Sequence, residues 1–169
     1  MVKEKFLLDT NTFITPYKSY YPFDLAPSFW KQLLPKLSSG NVSVLDIVQA
    51  EILKGDDELS EYIKSVPNIN ICSIKNSQII IKYAEVLNYI QSSGLYTERA
   101  LREWSRPDVA DPWLIATART YDYTLITFET SAGKITTASN KPKIPDIGAK
   151  FGIKIENLFY FMREMGFSL

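Results

Sequence analysis

Five short apolar runs recur along the chain, with helical segments lying between them. The runs are KFLLD at 5–9, VSVL at 42–45, NICSI at 70–74, YTLIT at 123–127 and GIKI at 152–155. A strand that is apolar throughout buries both of its faces, and parallel neighbours need a crossover segment, usually a helix, to return the chain to the starting edge. The pattern therefore predicts an α/β fold: a three-layer sandwich around a five-stranded, doubly wound parallel sheet. A chain of 169 residues can bury one sizeable core and divides poorly into two, so a single domain spanning 1–169 is expected.

The helical segments are PSFWKQLLPKLSS, DIVQAEILKG, DELSEYIKSV, NSQIIIKYAEVLNYIQSSG, YTERALREW, PWLIATARTY and ENLFYFMREMG. In the fourth of these, Ile80, Tyr83, Ala84, Leu87 and Ile90 are expected to share the apolar face, with Gly94 as the stop. Pro35 is expected to bend or split its helix. TSAGKITTASNKPK, residues 130–143, is polar, basic and without an apolar period, and reads as a long loop. The aromatics Tyr17, Tyr20, Tyr21, Phe23, Phe29 and Trp30 read chiefly as core, with a groove for a partner helix as their other use.

In a doubly wound sheet, ligands bind outside the carboxyl ends of the strands. Asp9 follows Phe6, Leu7 and Leu8 directly and so leaves the first strand at that edge, before Thr10, Asn11 and Thr12 lead into a helix. Other acids reach the same edge from distant places. Glu51 lies on the helix after the second strand and shares a face with Ile47, the side expected to look toward protein. Asp111 precedes Pro112, which marks it as an N-cap of a helix that begins at the carboxyl edge, with Asp108 three residues earlier. Glu129 stands just past the fourth strand.

Taken singly, each acid has an ordinary structural use: strand-end cap, half-exposed helix residue, N-cap, solvated loop. Together they impose a condition. Two carboxylates about 4 Å apart repel by about 4 kcal/mol at an effective dielectric near 20, so a cluster needs a cation or protonation. The chain has no histidine and one cysteine, Cys72, which excludes an internal disulfide, the usual zinc sites and histidine-based nucleophilic catalysis. Hard oxygen ligands instead select one or two Mg2+ or Mn2+ ions.

These residues resemble the PIN-domain family. The resemblance rests on LLDTN at 7–11, the glutamate of VQAEIL at 48–53, DPWLIATA at 111–118 and TFE at 127–129, and their order spans nearly the whole chain. It implies a sheet in the order 3-2-1-4-5. It also implies a metal-dependent ribonuclease, of the kind that forms the toxin half of many toxin–antitoxin pairs. Carried over by position, Asp9, Glu51 and Asp111 match the family's metal-binding acids and Glu129 its fourth acidic place, while Asn11 and Thr127 match polar residues of the pocket. Glu129 departs from the aspartate more usual there, and Asp146 is the other acid available to that role.

The implied substrate is RNA, with Lys134, Lys141 and Lys143 near flanking phosphates and a small protein antitoxin as partner. Nineteen basic residues balance nineteen acidic ones, so no global field attracts a polyanion and these local lysines carry that expectation. The sequence leaves a homodimer open. No apolar run approaches the length of a bilayer span and the start lacks a secretory pattern, so a cytoplasmic protein without a membrane partner is expected. A haloacid-dehalogenase-type phosphatase would need an aspartate where this chain has Asn11, and no glycine-rich nucleotide loop is present. The rival from another class is a non-catalytic PIN-like module that binds RNA or protein.

Overall fold

The protein was analysed as a computed structural model, which describes residues 3–169. Its elements run β1 (Phe6–Leu8), α1 (Asn11–Thr15), a π-helical turn (Pro16–Tyr20), α2 (Pro27–Leu37), β2 (Val42–Leu45), α3 (Asp46–Leu53), α4 (Glu58–Ser65) and β3 (Ile71–Cys72). They continue with α5 (Ser77–Ser92), α6 (Glu98–Trp104), α7 (Asp111–Tyr121), β4 (Thr124–Ile126), α8 (Ile144–Lys150), β5 (Ile155–Glu156) and α9 (Leu158–Glu164). The strands form one parallel sheet in the order β3-β2-β1-β4-β5, the expected α/β, PIN-like topology. Phe6, Leu7 and Leu8 face Val42, Ser43 and Val44, and Val44 and Leu45 face Ile71 and Cys72. Among the described residues, no helix is long and apolar enough to cross a membrane.

The chain divides into two compact units. The first contains the described residues up to Ser73 together with Ile126–Phe128 and Glu156–Leu169. Its core forms around β1, whose three residues are all buried. Phe6 meets Phe161 edge to face, 5.2 Å between centroids, while α2 adds Phe29, Trp30, Leu33 and Leu37 and α3 adds Val48 and Ile52. Removing one such aromatic side chain from water is worth about 1.5–3 kcal/mol. α2 runs through Pro35 unbroken. That proline is exposed and close to the helix end, where the carbonyl it leaves unbonded can turn to water, so of the expected bend or split the split does not occur. α4 begins with a reciprocal cap, in which Asp57 accepts from the Ser60 N–H and Ser60 from the Asp57 N–H, each at 3.0 Å.

The second unit contains Ile74–Leu125 and Glu129–Ile155, with α5 packed on α7. Tyr83 and Trp113 stack with centroids 3.7 Å apart, and Glu85 pairs with Arg119, whose guanidinium also lies over the Phe151 ring. The buried face of α5 is Ile79, Val86 and Ile90. Ile80 and Ala84, expected on that face, are exposed instead. Both assignments fit a helical period, and the position of α7 decides between them.

The 130–143 segment has no helix or strand of its own, as expected. It is nonetheless tied down. Ser139 exchanges backbone hydrogen bonds with Leu95 and Thr97, and the Thr97 hydroxyl donates to Asn140 Oδ1. The short helix α8 was not expected. Its signal is Pro145 in the first turn, a position that needs no N–H.

Candidate functional site

Asp9 is 5% exposed, at the carboxyl end of the central strand. Its N–H donates to Ile126 O at 3.0 Å, which continues the sheet by one residue beyond β1. Its carbonyl accepts from the Thr12 N–H at 3.0 Å and the Thr12 hydroxyl at 2.6 Å. Thr10 is already in helical backbone geometry, so the chain turns from strand to helix within one residue. The backbone of Asp9 is thus fixed on both sides, and its carboxyl group is the part left to act.

A directed chain of donors meets that carboxylate. The Phe128 N–H donates to Asn11 Oδ1 at 3.0 Å, which fixes the orientation of the amide. Asn11 Nδ2 then donates to Thr127 Oγ1 at 3.1 Å, and the Thr127 hydroxyl donates to Asp9 Oδ2 at 2.7 Å. An ionised carboxylate accepts and never donates, and the chain offers it a hydrogen. Asn11 and Thr127 therefore orient the Asp9 carboxylate. An aspartate at position 11 would break the chain, because it has no N–H for Thr127.

Glu51 is exposed as a residue, contrary to the expectation that it looks into protein, because α3 buries Val48 and Ile52 instead. Its carboxylate is still held: Oε2 accepts from the Thr10 hydroxyl at 2.8 Å. Thr10 is 7% exposed and is the residue that sequence reasoning missed. Its only signal was its place directly after Asp9. Residues 9–11 thus supply one acid, the anchor of a second and the amide that orients the first.

The remaining predicted acids lie in the second unit. Asp111 is the first residue of α7 with Pro112 after it, and the N-cap is Ala110, which makes no side-chain cap. The expected N-cap role of Asp111 is therefore corrected by one position: proline disfavours helical geometry in its predecessor without forbidding it. Asp108 is exposed and receives Arg106 Nε and Nη2 at 3.1 and 2.7 Å. Glu129 accepts from the Ile144 N–H at 2.9 Å and pairs with Lys143 Nζ at 3.7 Å. Asp146 accepts from the Ser131 hydroxyl and from the Ala132 N–H, the latter at 2.9 Å. Both acids considered for the fourth place thus tie down the segment between them. Lys134 and Lys141 are exposed on that segment.

Among the described residues, no three of His, Cys, Asp and Glu gather closely enough to hold a metal ion. Burial pushes the Cys72 thiol above its usual range, against the effect of its hydrogen bond with Ser43, so it is a poor nucleophile.

A chain of VapBC2 from Rickettsia felis, solved bound to a DNA fragment from their promoter, is similar in fold, with a TM-score of 0.54 and 17% identity over 90% of this chain and 97% of that one. A chain of DNA-bound VapBC from Salmonella typhimurium is similar with a TM-score of 0.55 and 15% identity, over 91% of this chain and 98% of that one. Identities this low carry the fold, which agrees with the PIN-like strand order. No curated protein shows significant similarity. The match to the domain of unknown function DUF4411 extends over residues 6–169, and the chain belongs to that family.

Proposed function

We propose that this protein is a metal-dependent endoribonuclease that hydrolyses RNA phosphodiester bonds, and that it is the toxin of a toxin–antitoxin pair. The observation that carries the reading is Asp9: a buried carboxylate at the carboxyl end of the central strand, oriented by Thr127 and Asn11, with Glu51 anchored to the neighbouring Thr10. The likeness to two VapBC chains supports the toxin role and a small protein antitoxin as partner.

The donor chemistry fits a hard divalent cation. Magnesium is commonly held by one or two carboxylates, its other positions being filled by water and phosphate oxygens. Asp9 and Glu51 present such oxygens from one unit, and Asp111 is the third acid assigned to hold one or two Mg2+ or Mn2+ ions. When bound, the metal would lower the pKa of a water and offset charge on the phosphate. Thr127 and Asn11 keep the Asp9 oxygens in one orientation, and Thr10 does so for Glu51. Glu129 would orient the attacking water, with Asp146 as its substitute. Lys134, Lys141 and Lys143 bind flanking phosphates without reading bases. The reading places the protein in the cytoplasm and leaves a homodimer open.

A second reading is favoured by the ties of Glu129 to Ile144 and of Asp146 to Ser131 and Ala132. With these acids engaged, a non-catalytic module would hold RNA or a protein partner on the same edge. Incubation of a mixed RNA pool with Mn2+ separates the two. Wild-type protein is expected to cut it, while Asp9→Asn folds and does not. Full activity in Asp9→Asn, or none in wild type, overturns the nuclease reading. Co-purification with the product of a small adjacent reading frame, and inhibition by it, tests the toxin role.

A further inference from the structure

The aromatic segment at 16–30 does not behave uniformly. Phe29 and Trp30 are buried, Phe23 stacks on Trp30, and Tyr21 stacks on Phe29. Tyr20 closes the π-helical turn and leaves 54% of its surface exposed. Its ring is stacked on Phe128, with centroids 5.8 Å apart and planes at 18°, and meets Phe159 edge to face at 6.2 Å. Phe159 is itself 38% exposed. One exposed ring is ordinary, whereas three rings joined through Tyr20, two of them open to water, form a surface that invites a flat partner.

Phe128 fixes where that surface lies. It follows Thr127, whose hydroxyl donates to Asp9, and its own N–H is held by Asn11. Neighbouring Cα atoms are about 3.8 Å apart, so the cluster begins within reach of whatever Asp9 binds. Tyr20 and Tyr21 also line a cavity of about 480 Å³, together with Pro22, Leu25, Pro27 and Leu169. Tyr20 belongs to both the stack and the cavity lining.

The geometry points to Tyr20, Phe128 and Phe159 as a stacking platform for unpaired bases of a single-stranded RNA whose phosphodiester lies at Asp9. The assignment deepens the nuclease reading and rests on it. A near-parallel aromatic pair is extended by another flat ring, and every base has such a face, so binding of this kind tolerates any sequence. Duplex bases are already stacked on one another and offer no free face. Lys18, exposed in the same turn as Tyr20, supplies a cation for the backbone between stacked bases.

The test uses the full chain and an RNA strand carrying the fluorescent base 2-aminopurine, free or annealed to its complement, with Mn2+-dependent cleavage followed in parallel. Tyr20→Ala combined with Phe159→Ala is expected to weaken single-strand binding by roughly tenfold or more, to abolish quenching of the fluorescent base and to raise KM more than it lowers kcat. Duplex binding should stay unchanged, and Tyr20→Phe should retain the wild-type signal. Tyr20→Ser alone gives the same direction of effect should the double variant fail to fold. Unchanged quenching and affinity in folded variants overturn the platform; if wild type still cleaves, the nuclease reading survives. Quenching by a wild type that cuts nothing overturns the nuclease reading and keeps the platform. A wild type that neither quenches nor cuts overturns both. Variants that bind RNA normally but release a co-expressed small protein assign the surface to that protein and overturn the proposal.

Discussion

The Thr127 hydroxyl donates to the Asp9 carboxylate at 2.7 Å, although the two residues stand 118 positions apart. Thr127→Val keeps the shape and removes the donor. Asp9 is 5% exposed, so losing this hydrogen bond is expected to cost about 1–3 kcal/mol. Urea unfolding of Thr127→Val beside Thr127→Ser, which keeps the hydroxyl, measures it. Equal midpoints for wild type and Thr127→Val would show that this hydroxyl does not support the acid.

Asn11→Asp probes the amide that orients the chain of donors. The introduced carboxylate can still accept from the Phe128 N–H, but it has nothing to donate to Thr127, and it adds negative charge on the residue whose amide now supports Asp9. Repulsion disfavours the charged form of the new acid, so the loss of stability relative to wild type should be greatest at neutral pH and shrink on acidification. Unfolding midpoints of both proteins across the acid range give the difference. A gap that is flat with pH would contradict the charge argument.

Glu129→Ala removes the acceptor for the first N–H of α8 and the partner of Lys143. The expected cost is about 1 kcal/mol, in line with loss of a helix cap, with faster amide exchange at Ile144 and little change in the first unit. Glu129→Gln retains an acceptor oxygen and should restore most of the protection. Hydrogen exchange followed by mass spectrometry resolves the 143–147 segment.

Arg119 hydrogen-bonds Glu85 and, with a further contribution from Lys82, holds its carboxyl below the ordinary glutamate range. A folded-state pKa lowered in this way contributes stability above the ordinary range, and the contribution is lost as pH falls through the lowered value. Glu85→Gln should therefore be less stable than wild type near neutrality and approach it in acid. Thermal unfolding at a series of pH values checks the convergence. Because the pair is partly exposed, added salt should narrow the neutral-pH difference.

What the sequence determined by itself was the architecture: strands apolar throughout, separated by segments of helical period, leave few alternatives to a parallel sheet under helices. It also located Asp9 at the end of β1, because a carboxylate directly after three core residues must leave the sheet there. Local signals were less decisive wherever two answers were equally good in one dimension. The apolar residues of α5 fit two helical faces, and only packing on α7 selected Ile79, Val86 and Ile90. Pro112 pointed to Asp111 as the cap, and the backbone placed the helix start one residue earlier, with Ala110 at the N-cap.

The hydrogen-bond partners were decided by tertiary structure alone. Thr10 looks like any residue leading into a helix until Glu51 meets it, and Tyr20 looks like the other aromatics of its segment until the π-helical turn leaves it against Phe128. The physical reason is range. Hydrophobic periodicity is written in adjacent residues, whereas a hydrogen bond or a ring stack depends on ångström-scale separations between residues that the sheet brings together from opposite ends of the chain.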